Sequence, residues 1–189
     1  MSTDRLTDEA ISKLVLGERK GKAEYDKLQE TFKTDIKKLH ADRSIPVADL
    51  LGPRKGLAAA KATLVRHGYS EWFERDQKDF RGIYVWYHQD RPFYVGISKG
   101  VLGRLNQHMK GRAHFDASMA FKIARTLYDE YDGPRADFDP RCEKIYRVQT
   151  WLSNQKVAVL PVSDHDQLAL FEIYCSMHLK TVLNTFETH

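Results

Sequence analysis

The sequence predicts an α+β fold, in which a small three-stranded antiparallel sheet is flanked by helices and set behind a helical N-terminal extension. Three observations carry this expectation. Apolar residues over 21–41 recur with a helical period, residues 82–97 switch to β-branched and aromatic runs broken by a short polar stretch, and a further such run at 156–162 precedes a long helical stripe. With 189 residues, 42% of them hydrophobic and 30% charged, the chain is long enough to bury a core and too apolar for a disordered polymer.

The extension covers residues 1–78. Leu6, Ala10, Leu14 and Val15 mark a short helix over 5–16. Tyr25, Leu28, Phe32, Ile36 and Leu39 follow at i, i+3, i+7, i+11 and i+14, a stripe that only a 3.6-residue period places on one face. Ser44, two residues ahead of Pro46, reads as the N-cap of a short helix to Leu51 that Gly52-Pro53 ends. Residues 57–66 form the next helix, with Gly68 as its C-cap. These helices form a dimer interface, a cover for the following domain, or a surface that contacts DNA.

The second domain spans 79–189. Residues 82–87 and 92–97 are read as two antiparallel strands joined by the loop His88-Gln89-Asp90-Arg91. Helices are expected over 103–109 and 117–128, the latter N-capped by Asp116. An Asp-, Pro- and Gly-rich loop at 129–140 and a helical stripe of Ile145, Val148 and Leu152 together form an insertion at about 129–155. A third strand at 156–162 leads into a helix over 166–180, with Leu168, Phe171, Cys175 and Leu179 on one face, and Val182-Leu183-Asn184 closes the domain.

Composition excludes several classes. The two cysteines, Cys142 and Cys175, are too few for a disulfide framework and lack the paired spacing of a structural zinc site. No run of about 18 apolar residues and no secretory leader occurs, so a cytoplasmic protein without a membrane partner is expected. The formal charge is only +4, but residues 99–125 hold six Lys/Arg against Asp116 alone. Such a basic stretch is either a solvated helix face or a surface for a polyphosphate.

Particular residues sharpen the second reading. Gly82-Ile83-Tyr84 is followed, after nine residues, by Tyr94-Val95-Gly96. Alternation along the strands lets the two phenols stand side by side, and Gly96 is either a site of close approach by a phosphate or a turn or bulge glycine. Arg104 and His108, four apart, share a helix face. Glu172 lies inside the apolar run 168–174, where a carboxylate needs a partner such as Arg104 or a divalent cation. Asn184 follows near the end of the domain.

This ordered set over roughly residues 80–188 resembles the GIY-YIG nucleases, with Val95 in place of the middle isoleucine of the second motif. The resemblance implies a metal-dependent DNA endonuclease leaving 5′-phosphate and 3′-hydroxyl ends, with Tyr84, Tyr94, Arg104, His108, Glu172 and Asn184 as its catalytic set. In that reading Tyr84 is the general base and His108 relays its proton. Tyr94 orients water or a phosphate oxygen, Arg104 stabilises the developing charge, and Glu172 holds one Mg2+ or Mn2+. Lys99, Arg104, Lys110, Arg112 and His114 are the expected contacts to DNA phosphates. The partner is double-stranded DNA, and a palindromic target favours a homodimer. The chain most resembles a bacterial restriction or phage-defence enzyme. The alternatives are a repair, nicking or broadly specific nuclease, and a DNA-binding module whose catalysis has decayed.

Overall fold

The computed structural model describes residues 22–52, 56–69, 72, 77–113, 116–127, 139 and 141–184. The helix expected over 5–16, Pro53, His114 and most of the loop at 129–140 lie outside them.

Helix α1 (Lys22–Asp35) tightens into 3-10 turns at Ile36–Leu39 and Ala41–Arg43. Of its apolar stripe, Phe32, Ile36 and Leu39 are buried while Tyr25 is exposed. The next residues depart from expectation. Ile45–Pro46 is a two-residue strand, β1, and the short helix α2 begins only at Val47, running to Leu51. Ser44 does not cap it; its hydroxyl donates to the Ala41 carbonyl. Helix α3 (Leu57–Arg66) follows, and Gly68, one residue past its cap His67, turns the chain at φ +89°.

Strands β2 (Gly82–His88) and β3 (Arg91–Ser98) form the hairpin, one residue longer at each inner end than the loop pattern suggests. Gln89 and Asp90 both take positive φ, the backbone a two-residue turn needs to follow the strand twist. Helices α4 (Val101–Lys110), α5 (Ser118–Leu127) and α6 (Glu143–Ser153) lead to strand β4 (Lys156–Pro161) and helix α7 (His165–Leu179). The Asp164 carboxylate caps α7 by accepting from Gln167 N at 2.7 Å.

The sheet has four antiparallel strands in the order β1-β4-β2-β3, not three. The fourth is β1, where Ile45 pairs with Val157 and Pro46 with Lys156. Two residues carry no alternation to read, and a proline is tolerated there because β1 is an edge. Each face of the sheet has its own core. Ile83, Val85, Val95 and Leu160 meet Phe32, Ile36 and Leu39 and, from α7, Leu168, Phe171 and Cys175. Tyr84, Trp86, Val157 and Val159 point the other way, into the helices α2 to α6. Residues before the hairpin therefore contribute to both cores, and Tyr87 donates its hydroxyl proton to the Leu39 carbonyl.

Candidate active site

The hairpin register sets the first two side chains. Tyr84 pairs with Gly96 and Trp86 with Tyr94, so both phenols share a sheet face, with ring centroids 6.3 Å apart. Gly96 has a different reason from those expected. A Cβ there would lie 2.5 Å from both Cζ and the hydroxyl oxygen of Tyr84, so the glycine makes room for a phenol, not for a phosphate or a turn. Gly96→Ala is expected to lower stability by about 1–3 kcal/mol, as overpacking of a tight contact does. Urea denaturation measures this, and an unchanged midpoint would show that Tyr84 moves aside freely.

Helix α4 brings the next two. Its start is fixed by Asp79, whose carboxylate accepts from Phe80 N at 2.8 Å, Leu102 N at 2.9 Å and Gly103 N at 2.9 Å. This satisfies backbone donors that a helix N-terminus leaves open. Asp79 carries no signal in the sequence, because it precedes the helix by 22 residues and no capping spacing marks it. Ser118, the first residue of α5, is likewise unmarked. Arg104 donates through Nη2 to its hydroxyl at 2.7 Å and through Nη1 to Gln107 Oε1 at 3.2 Å. His108 is fully buried, with Nε2 2.8 Å from the Tyr84 hydroxyl. Its ring stands edge-on to Tyr94 and Trp86, and its Nδ1 has no hydrogen-bond partner among the described residues.

These positions tune protonation. Burial, then the neighbouring Tyr94, push the Tyr84 hydroxyl well above the usual phenol range against the opposing pull of Arg104. Tyr94 is raised in the same way by burial and by the Glu172 charge. Burial and the Arg104 guanidinium together lower His108 to about 3, so the imidazole is neutral at pH 7.

Glu172 stands on α7, which packs chiefly along the edge strand β3. Its charge is among the causes that raise both phenols, so it lies within electrostatic reach of them. It is partly buried, and burial raises it to about 7. Asn184 has another task. Its Oδ1 accepts from Val95 N and its Nδ2 donates to Val95 O, both at 2.8 Å, so the amide continues the ladder on the open edge of β3. Thr181 holds the same oxygen at 2.8 Å. Asn184 is therefore a positioning residue of the strand that carries Tyr94.

The expected phosphate contacts do not converge in the same way. Lys99 is exposed on the turn before α4, and Arg112 is exposed just beyond that helix. Lys110 turns towards α2: its Nζ donates to the carbonyls of Leu51 at 3.3 Å and Gly52 at 3.5 Å, at the C-terminal end of that helix.

Residues 80–132 match the family model of the GIY-YIG catalytic domain. The chain carries a GIY-YIG domain. The match takes in Tyr84, Tyr94, Arg104 and His108, whereas Glu172 and Asn184 lie past it. GIY-YIG domains are those of a nuclease family, whose members generally use divalent metal ions. Nothing among the curated proteins or the solved structures matches the chain significantly. Among the described residues no helix is long and apolar enough to cross a membrane.

The donor set can be compared with the metal that the GIY-YIG family implies. Among the described residues no three His, Cys, Asp or Glu side chains cluster as a cage. What the site offers is the single carboxylate of Glu172 beside a place for an anion at Arg104. That fits an ion such as Mg2+, which retains waters and takes substrate phosphate oxygens besides one or two carboxylates.

Proposed function

We propose that the chain is a metal-dependent DNA endonuclease of the restriction or phage-defence kind, which leaves 5′-phosphate and 3′-hydroxyl ends. The observation that carries this reading is the 2.8 Å hydrogen bond between the Tyr84 hydroxyl and a neutral, buried His108, with Arg104 and Glu172 beside it. The target is double-stranded, and a homodimer would let two sites act on its two strands.

Tyr84 donates its proton to His108 Nε2, leaving its oxygen lone pairs turned towards the attacking water. As water attacks phosphorus, its proton passes to Tyr84 while the Tyr84 proton moves to His108. The new P–O bond forms from water, the bond to the 3′ oxygen breaks, and that oxygen takes a proton from solvent. Transfer to His108 is uphill because burial and, after it, the Arg104 charge disfavour an imidazolium. A phosphate on Arg104 neutralises this charge and favours an imidazolium. Arg104 bears the developing charge through its planar donors, and Tyr94 orients the water or a phosphate oxygen. Glu172 would hold the cation, which supplies Lewis-acid stabilisation of the leaving oxygen when bound.

The test is cleavage of supercoiled plasmid and phage DNA with Mg2+ or EDTA, comparing the native chain with Glu172→Ala. Discrete fragments that need both the metal and Glu172 are the expected result. Smears or nicked circles would replace the restriction role with that of a repair or general nuclease. Binding without cutting under any metal would leave only a DNA-binding module.

A further inference from the structure

At the C-terminal end of α4, on the segment that also carries Arg104 and His108, the chain borders a cleft of about 840 Å3 whose opposite wall is α6 and the residues just before it. Among the described residues its lining contains three cations, Lys110, Arg112 and Arg141, and no carboxylate. Lys110 is engaged with α2, as described above. Arg112 and Arg141 are both exposed, and among the described residues their guanidinium groups have no hydrogen-bond or ion-pair partner. Tyr146, 68% exposed, lines the same cleft and leaves a ring on which a sugar or base can pack.

The two walls are tied together. Gln149 of α6 donates through Nε2 to the Gly111 carbonyl at 2.8 Å, fixing the segment that carries Arg112 against the helix. The guanidinium groups are thus mounted on a braced frame, which lowers the entropy lost when a ligand is gripped. The distance also suits a nucleic acid. From Arg104 to Lys110 is six residues, about 9 Å along a helix axis at 1.5 Å each. That is the axial length of two to three nucleotides at about 3.4 Å per step.

We propose that this cleft holds the sugar-phosphate backbone of the substrate DNA two to three nucleotides from the phosphate being cut. Arg112 and Arg141 each take one phosphate, and Tyr146 packs on the sugar or base between them. The proposal rests on the nuclease reading above and adds the surface that fixes the register of the duplex. It also gives α6, part of the expected insertion, a task in binding.

The experiment is fluorescence anisotropy of the full-length chain with a labelled duplex in EDTA, over a range of salt concentrations, alongside the plasmid cleavage assay. Each phosphate neutralised on a duplex contributes about 0.9 to the slope of log affinity against log salt. The Arg112→Ala/Arg141→Ala double variant is expected to lose about 1.8 of that slope. The Arg112→Lys/Arg141→Lys variant should regain it, because lysine neutralises a phosphate equally well. A native chain that cuts DNA while the double alanine variant keeps the full slope overturns the cleft alone. A chain that neither binds the duplex nor cuts plasmid overturns the nuclease reading and the cleft with it.

Discussion

Tyr84→Phe is expected to cut DNA about 10²- to 10⁴-fold more slowly than the native chain, the range that a positioned acid–base group contributes. The substitution removes one oxygen from a ring that is 1% exposed, so the hairpin and the phenyl packing over Gly96 remain. It also strands His108. With the hydroxyl gone, Nε2 loses its 2.8 Å partner while Nδ1 already has none among the described residues. A buried imidazole with both nitrogens unpaired lowers stability by about 1–3 kcal/mol. Single-turnover cleavage and urea denaturation read the two effects separately. A variant that cuts at the native rate but melts earlier would make the Tyr84–His108 pair purely structural, and Tyr94 the next candidate for base.

The contrast between Tyr84 and the residues that hold it shows how far the sequence could be read. The hairpin was legible because its residues signal twice, by β-branched and aromatic content and by alternation, and Arg104 with His108 was legible from a four-residue spacing. Those signals are local. The sheet edge at Ile45–Pro46 is two residues long and exists only because β4 lies beside it. Asp79 acts on α4 across a 22-residue gap, and Ser118 meets Arg104 from the next helix. Gly96 was flagged, but its reason needed the register that lays Tyr84 across it. The contact of Lys110 with α2 was not legible, because charge along a sequence does not say which backbone carbonyls lie within reach. Asn184 was placed in the site, yet its amide could be seen to complete the β3 edge only once that edge was known.

Glu172→Gln is expected to have opposite effects on activity and stability. Cleavage should fall at least as far as for Tyr84→Phe, since the variant removes the charge proposed to hold the cation. Stability should rise as well, by an amount that grows from about pH 4.5 and levels off above about pH 7. The folded carboxyl titrates at about 7 against an ordinary value of 4.5, because burial disfavours its charge. Between those values the folded chain keeps a proton that the unfolded chain has released. Its stabilising contribution is therefore complete below about 4.5 and is lost as pH rises through 7. Glutamine carries no such charge, so the variant and the native chain should melt alike at pH 4. At pH 8 the variant should be more stable, by about 1–2 kcal/mol after allowance for partial solvent contact. That corresponds to roughly 3–6 °C in melting temperature for a domain of this size. Divalent cation should raise the melting temperature of the native chain at pH 8 and leave the variant unmoved, because only an ionised carboxylate binds the metal. Equal melting temperatures at pH 8 would mean that Glu172 is relaxed in the folded chain. A stabilised variant that still cleaves would move the cation elsewhere. The expected pattern, a gain in stability with a loss of cutting, means that the fold tolerates the Glu172 charge for the sake of the reaction.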